Sequence, residues 1–79
     1  MPSAIVLINS EIGDESGILD DVCGLEQVHR ACLVYGVYDI LAEVETDSMD
    51  ELDDVIGRKI RMISGVRSTL TLIVSKRWK

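Results

Sequence analysis

The residues with the clearest chemical potential are four consecutive ones near the middle of the chain, Gly36, Val37, Tyr38 and Asp39. They connect two apolar runs that are typical of strands. Glycine permits a positive φ at a turn, and Tyr38 and Asp39 then place a ring and a carboxylate at the start of the next strand. A carboxylate there can bind an ammonium group. The alternative role for Asp39 is that of a turn residue, bonded to nearby backbone N–H groups.

Few other residues offer chemistry. Thr69 and Thr71 alternate with Leu70 and Leu72, so both hydroxyls share one face of a strand. They are either ordinary strand residues or a pair of groups that hydrogen-bond a small polar ligand. The sequence has no phosphate-binding glycine motif, no Cys-x-x-Cys and no recognisable nucleophile with a His–acid pair. No catalytic residue, cofactor or metal site is therefore predicted, and His29 is the only candidate that an enzyme could titrate near neutral pH.

Composition predicts one domain over residues 1–79, with aliphatic residues in excess of what a small core needs. Hydrophobic residues make up 47% of the chain, yet there is no Phe and only one Trp. The net charge of −6 argues against unaided binding to DNA or RNA, since phosphate neutralisation needs a basic surface. All 14 acidic residues precede residue 58, and seven of the eight basic ones lie at or after it. This asymmetry reflects either helix polarity with a solvated tail or a complementary contact between subunits.

The two cysteines, Cys23 and Cys32, lack companion histidines at metal-binding spacing, and we expect them to be buried free thiols. No basic region followed by an apolar run opens the sequence, so we expect no secretory leader. No apolar run approaches the roughly 18–20 residues that a membrane span requires. The expected location is the cytoplasm, with no membrane contact.

The periodicity predicts strands over residues 3–9, 28–35, 38–45 and 66–75. A first helix follows Asp14 and buries Ile18, Leu19, Val22 and Cys23. The second helix begins at a capping box, Ser48 to Glu51, and Gly57 within it predicts a close contact between helix and sheet. Its apolar stripe consists of Leu52, Val55, Ile56, Ile60 and Ile63.

The order βαββαβ predicts an α+β, ferredoxin-like sandwich, with a four-stranded antiparallel sheet and two helices on one face. The other sheet face is then bare. Because the first strand is apolar on both sides, we expect two copies to pack sheet against sheet.

Three segments together resemble a known family: the run ending in Gly36-Val37-Tyr38-Asp39, the helix end Ile63-Ser64-Gly65-Val66, and residues 68–74, Ser-Thr-Leu-Thr-Leu-Ile-Val. In order and spacing they are similar to the RAM domain, the effector-binding domain of the Lrp/AsnC (feast/famine) transcription regulators. The resemblance covers almost the whole chain.

The resemblance implies the same fold, dimers paired through their sheets, and assembly of four dimers into an octamer. It also implies small effectors, usually amino acids, bound between neighbouring dimers. The effector-binding positions carried over from the family are Gly36, Val37, Tyr38, Asp39, Met49, Thr69, Thr71 and Leu72.

The resulting hypothesis is a non-enzymatic, amino-acid-sensing module. Family regulators carry a helix-turn-helix domain before this module, whereas the first predicted strand here begins at residue 3. Output would then require a partner, such as a full-length Lrp/AsnC regulator. The alternatives are a ligand-free oligomerisation module and a small cofactor-free enzyme on the same fold.

Overall fold

The computed structural model describes residues Met1–Lys79. In chain order its elements are β1 (Ser3–Ser10), α1 (Glu15–Cys23), β2 (Val28–Leu33), β3 (Ile40–Glu45), α2 (Met49–Asp54), a π-helical continuation of α2 (Val55–Ile60), and β4 (Val66–Ile73). The strands form one antiparallel sheet in the order β2-β3-β1-β4. The predicted ferredoxin-like α+β fold is confirmed.

Strand β1 occupies the centre of the sheet and is apolar on both faces. It pairs with β3 on one side and β4 on the other. Ala4, Val6 and Ile8 are fully buried, whereas Ile5 and Leu7, which point the other way, are half-buried. This difference follows from the period of two along a strand, which sends alternate side chains to opposite faces.

The hydrophobic core lies entirely between the sheet and the helices. Only 14 of the 79 residues are buried, and 12 of these are hydrophobic. The core residues are Ala4, Val6, Ile8, Ile18, Val22, Ile40, Ala42, Val44, Leu52, Val55, Ile56 and Ile60. None of them faces the other side of the sheet, so a single copy has a one-sided core.

The face of the sheet that the helices leave uncovered is aliphatic at its centre, and we call it the open face. The strand register places Leu7 between Leu41 of β3 and Leu70 of β4, and places Ile5 opposite Leu72. Leu70 and Leu72 are 42% and 48% exposed. The predicted bare face is therefore present.

The start of α2 is held by side-chain hydrogen bonds. The backbone N–H of Glu51 donates to Ser48 Oγ at 3.1 Å, and the backbone N–H of Asp47 donates to Glu51 Oε1 at 3.0 Å. The predicted capping box is confirmed, with Glu51 reaching one residue further back than in the usual motif.

Gly57 lies on the exposed side of the π-helical segment. A Cβ atom at this position would meet no atom within 4 Å. The predicted close contact between helix and sheet at Gly57 is wrong. The inward positions belong to its neighbours Ile56 and Ile60, and the chain widens its helical turn here, with the N–H of Arg61 bonded to the carbonyl of Ile56.

Both cysteines are exposed, so the prediction of buried thiols is wrong. Cys23 is the last residue of α1, and Ile18 and Val22 take the inward positions of that helix. Cys32 lies on the edge strand β2 opposite Leu41, on the open face. Each thiol falls on the side of its element that no other layer covers.

Beyond β4, the basic tail runs past the start of β1 and reaches Glu43 of β3. The guanidinium Nη1 of Arg77 lies 3.8 Å from Glu43 Oε1, and the Lys76 ammonium lies 5.8 Å from the centre of the Trp78 ring. These contacts are exposed. The structure contains no helix with the length and apolar composition needed to cross a bilayer.

We predict that Gly57→Ala raises the free energy of unfolding by about 0.5–1 kcal/mol, since alanine favours a helical backbone and the site has room for a methyl group. Urea denaturation measures the change.

Gly65→Ala is the matched control, and it should lower stability. Gly65 has a φ of +95°, and its added Cβ would lie 2.7 Å from Asp14 Oδ2. A stability loss at Gly57 comparable with that at Gly65 would contradict our description of the helix.

Candidate functional site

The connection between β2 and β3 carries the glycine–aromatic–aspartate sequence and closes one end of the sheet. Gly36 has a φ of +139°, and a Cβ there would meet nothing within 4 Å. Backbone conformation, not space, is therefore what requires glycine. Val37 is 84% exposed and Tyr38 is half-buried. The loop thus presents an apolar tip to solvent.

Asp39 fastens this loop to the central strand. Its backbone N–H donates to the carbonyl of Ile8 at 3.0 Å. Its carboxylate Oδ2 accepts from the backbone N–H of Ser10 at 2.9 Å and lies 3.3 Å from the Ser10 hydroxyl. Because Ser10 is only 7% exposed, its N–H needs a partner within the protein.

Asp39 therefore extends the pairing of β1 with β3 by one step. The bonded residue, Ser10, is 29 positions away in the chain. The Asp39 carboxylate therefore makes a long-range hydrogen bond to β1, and Asp39 is not the local turn residue considered from the sequence. Both hydrogen bonds involve Oδ2, which leaves Oδ1 available to a ligand.

Two grooves meet at Asp39. The first, called here the polar groove, has a volume of about 330 Å³ and no hydrophobic residue in its lining, which consists of Asn9, Ser10, Asp39, Arg67 and Ser68. The second measures about 410 Å³ and is half apolar, with a lining of Glu15, Ser16, Leu33, Val34, Tyr35 and Asp39. Asp39 is the one residue that lines both grooves.

The structure places the other predicted site residues on separate surfaces. Thr69 and Thr71 are paired with Ile8 and Val6, so their side chains lie on the helix-covered side of β4. Leu72 lies on the open face, opposite Ile5.

Met49 lies at the opposite end of the sheet from Asp39. It follows β3, whose six residues span about 20 Å. Thr46, shortly before it, is bonded through its N–H to the carbonyl of Pro2 at the start of β1, whereas Asp39 is bonded near the end of β1. One copy of the chain therefore brings together Gly36, Val37, Tyr38 and Asp39 but not all eight predicted residues.

His29, the residue on which the enzyme hypothesis depends, lies beside a third groove at the Met49 end of the sheet. Its Nε2 is 3.2 Å from Glu45 Oε1, and its side chain is 59% exposed. The imidazole of His29 is therefore largely in contact with water. Nowhere does the structure gather three or more His, Cys, Asp or Glu side chains in a metal-binding arrangement.

Sequence reasoning missed Ser10 and Arg67, which line the polar groove with Asp39. Arg67 belongs to this groove because the register of β1 against β4 shifts by one residue there: Ser10 faces Val66, but Asn9 faces Ser68. The residues around position 67 do not predict that bulge. The only available signal was the lone basic residue at the start of an otherwise neutral strand.

Comparison with known proteins gives a match to the family model described as the Lrp/AsnC ligand binding domain, over residues 3–79. An uncharacterized HTH-type transcriptional regulator from Pyrococcus abyssi is 30% identical over 77 residues, which are 95% of this chain and 49% of the regulator.

Two solved structures are also similar. A protein from Thermus thermophilus is 32% identical with a TM-score of 0.94, and the match covers 100% of this chain and 99% of that protein. E. coli AsnC is 29% identical with a TM-score of 0.92, over 99% of this chain and 53% of AsnC. The chain spans about half the length of the Pyrococcus regulator and of E. coli AsnC.

We predict that Asp39→Ala lowers the free energy of unfolding by about 1–3 kcal/mol, because the buried N–H of Ser10 loses its acceptor. Asp39→Asn keeps an oxygen in the same place and should lose less. Urea denaturation of both variants, with the exposed Asp50→Asn as control, measures the difference. If Asp39→Ala is as stable as the wild type, the hydrogen bond between Ser10 and Asp39 does not contribute to stability.

Proposed function

The chain belongs to the Lrp/AsnC ligand-binding domain family, and we propose from this premise that it senses a small effector, an amino acid or similar metabolite, at an interface between copies. The observation that carries the proposal is the carboxylate of Asp39. It is fixed in position through Oδ2, and Asp39 lines two open grooves.

The proposed contact is between Asp39 and the effector's ammonium group. A charge-assisted hydrogen bond of this kind contributes about 1.5–3 kcal/mol. Since Ser10 already orients the carboxylate, little conformational freedom is lost when the ligand binds. The backbone N–H groups of Gly36, Val37 and Tyr38, in the same loop, can donate to the rest of the ligand.

The interface between copies enters the proposal because of the distances within one copy. Asp39, Met49 and Leu72 lie at one end of the sheet, at its other end and on its open face. If these residues all respond to one effector, some of them must come from neighbouring copies. Effector binding then shifts the equilibrium between assembly states by its differential affinity for them.

A second copy is the occupant that we propose for the open face. Leu7, Leu41 and Leu70 form an uncovered aliphatic strip across three strands, and burial of such a strip against an identical strip removes apolar surface from water. We further propose that such dimers associate into larger rings, such as an octamer.

The proposed output is modulation of other proteins. The Pyrococcus relative is named as an HTH-type transcriptional regulator, and both it and E. coli AsnC are about twice the matched length. Mixed assembly with full-length regulators of the same family would couple effector binding to transcription, while the partner rather than this chain contacts DNA. The net charge of −6 is consistent with a chain that does not itself bind DNA.

We predict that at least one L-amino acid raises the midpoint of thermal unfolding of the wild-type protein. Asp39→Asn should bind that amino acid about 10- to 150-fold more weakly by calorimetry, because it loses a charge-assisted hydrogen bond. Native mass spectrometry of both proteins, with and without the amino acid, checks that the assembly is unchanged by the substitution. If no amino acid binds the wild type, the sensor hypothesis is wrong and the alternative, a ligand-free oligomerisation module, is favoured.

We also predict that Leu70→Glu converts the dimer to monomers at micromolar concentration, because the interface would bury an unpaired carboxylate. Ile73→Glu is the matched control. Ile73 lies on the same strand, is 50% exposed against 42% for Leu70, and points to the opposite face. Sedimentation equilibrium measures the outcome, and equal behaviour of the two variants would argue against sheet-to-sheet pairing.

A further inference from the structure

Arg67 is the only basic residue that lines the polar groove beside Asp39. It is the extra residue of the bulge between β1 and β4, where Ser10 faces Val66 and Asn9 faces Ser68. A bulge interrupts strict alternation and redirects a side chain. Here it allows the consecutive residues Arg67 and Ser68 to line the same groove.

The rest of the groove is already ordered by hydrogen bonds. Asn9 Nδ2 lies 3.3 Å from Ser68 Oγ, and Asp39 is tied to Ser10. The groove therefore has a negative group and a positive group on a lining whose other members are neutral and polar. This composition suits a small ligand that carries both charges, and it offers nothing to an aliphatic side chain.

The present partner of Arg67 is easily displaced. Its Nε lies 3.8 Å from Glu11 Oε1, and the two side chains are 62% and 61% exposed. Ion pairs this open to solvent contribute little to stability. Exchange of Glu11 for a ligand carboxylate costs correspondingly little, and a guanidinium can bind a carboxylate through two parallel hydrogen bonds.

We propose that Arg67 binds the α-carboxylate of the effector while Asp39 binds its ammonium group, so that the polar groove recognises the zwitterionic head of a free α-amino acid. This inference rests on the proposed function. It goes further because it makes the α-carboxylate of the effector, bound by Arg67 of β4, a requirement for tight binding. Simple amines and α-amides, which lack that carboxylate, should bind more weakly than the free amino acid.

The test uses the full chain, with the proteinogenic L-amino acids and their α-amides as probes and calorimetry as the readout. The wild type should bind its preferred amino acid at least tenfold more tightly than the corresponding amide. Arg67→Gln should weaken binding of the amino acid about 10- to 100-fold and leave binding of the amide unchanged. The ratio of the affinity for the amino acid to the affinity for its amide then falls towards one. A misfolded or misassembled variant would instead bind both ligands more weakly.

Arg58→Gln is the matched control, since it also removes one positive charge from an exposed ion pair: Arg58 Nε lies 3.4 Å from Asp54 Oδ1, away from the groove. It should bind as the wild type does. If Asp39→Asn weakens binding but Arg67→Gln behaves like Arg58→Gln, the role of Arg67 is overturned and the sensor remains. Equal binding of amino acid and amide by the wild type likewise overturns only this inference. If the wild type binds no amino acid, both proposals fail.

Discussion

One-sided burial is the constraint on which the rest of this structure depends. A four-stranded sheet has two faces, and a chain of 79 residues supplies helices for only one of them. The core consequently lies between sheet and helices, and the aliphatic residues of the second face stay at the surface. Small domains bury a modest fraction of their surface in any case, so a partner for the open face adds stabilisation that the single copy lacks.

A structural role and the proposed binding role fall on the same residue, Asp39. Asp39 closes the β1–β3 pairing through Ser10, and this tie holds the carboxylate still at the meeting point of two grooves. Preorganisation of a binding group by a second hydrogen bond lowers the entropy cost of ligand binding. If Asp39 binds the effector as proposed, stability and affinity are coupled at this position, and only substitutions that keep an oxygen atom separate the two.

Symmetry offers a resolution to the scattered positions of the other predicted site residues. Met49, Leu72 and Asp39 lie on different surfaces of one copy, but association of copies can bring distant surfaces of identical chains together. Effector binding in such an arrangement would report on assembly as well as on ligand concentration. The polar groove is different, since every residue in its lining comes from one chain.

The sequence by itself determined the element order, the two faces of β1, the α2 cap and the loop from Gly36 to Asp39, because alternation, capping residues and turn glycines act over a few neighbouring positions. It misplaced Gly57, Cys23 and Cys32, whose surroundings depend on which side of an element a second layer covers. Only the tertiary structure decided that Asp39 bonds Ser10, 29 positions away, and that a bulge turns Arg67 into the same groove. Those contacts join distant residues through strand register, and register is set by packing of the whole sheet rather than by local sequence.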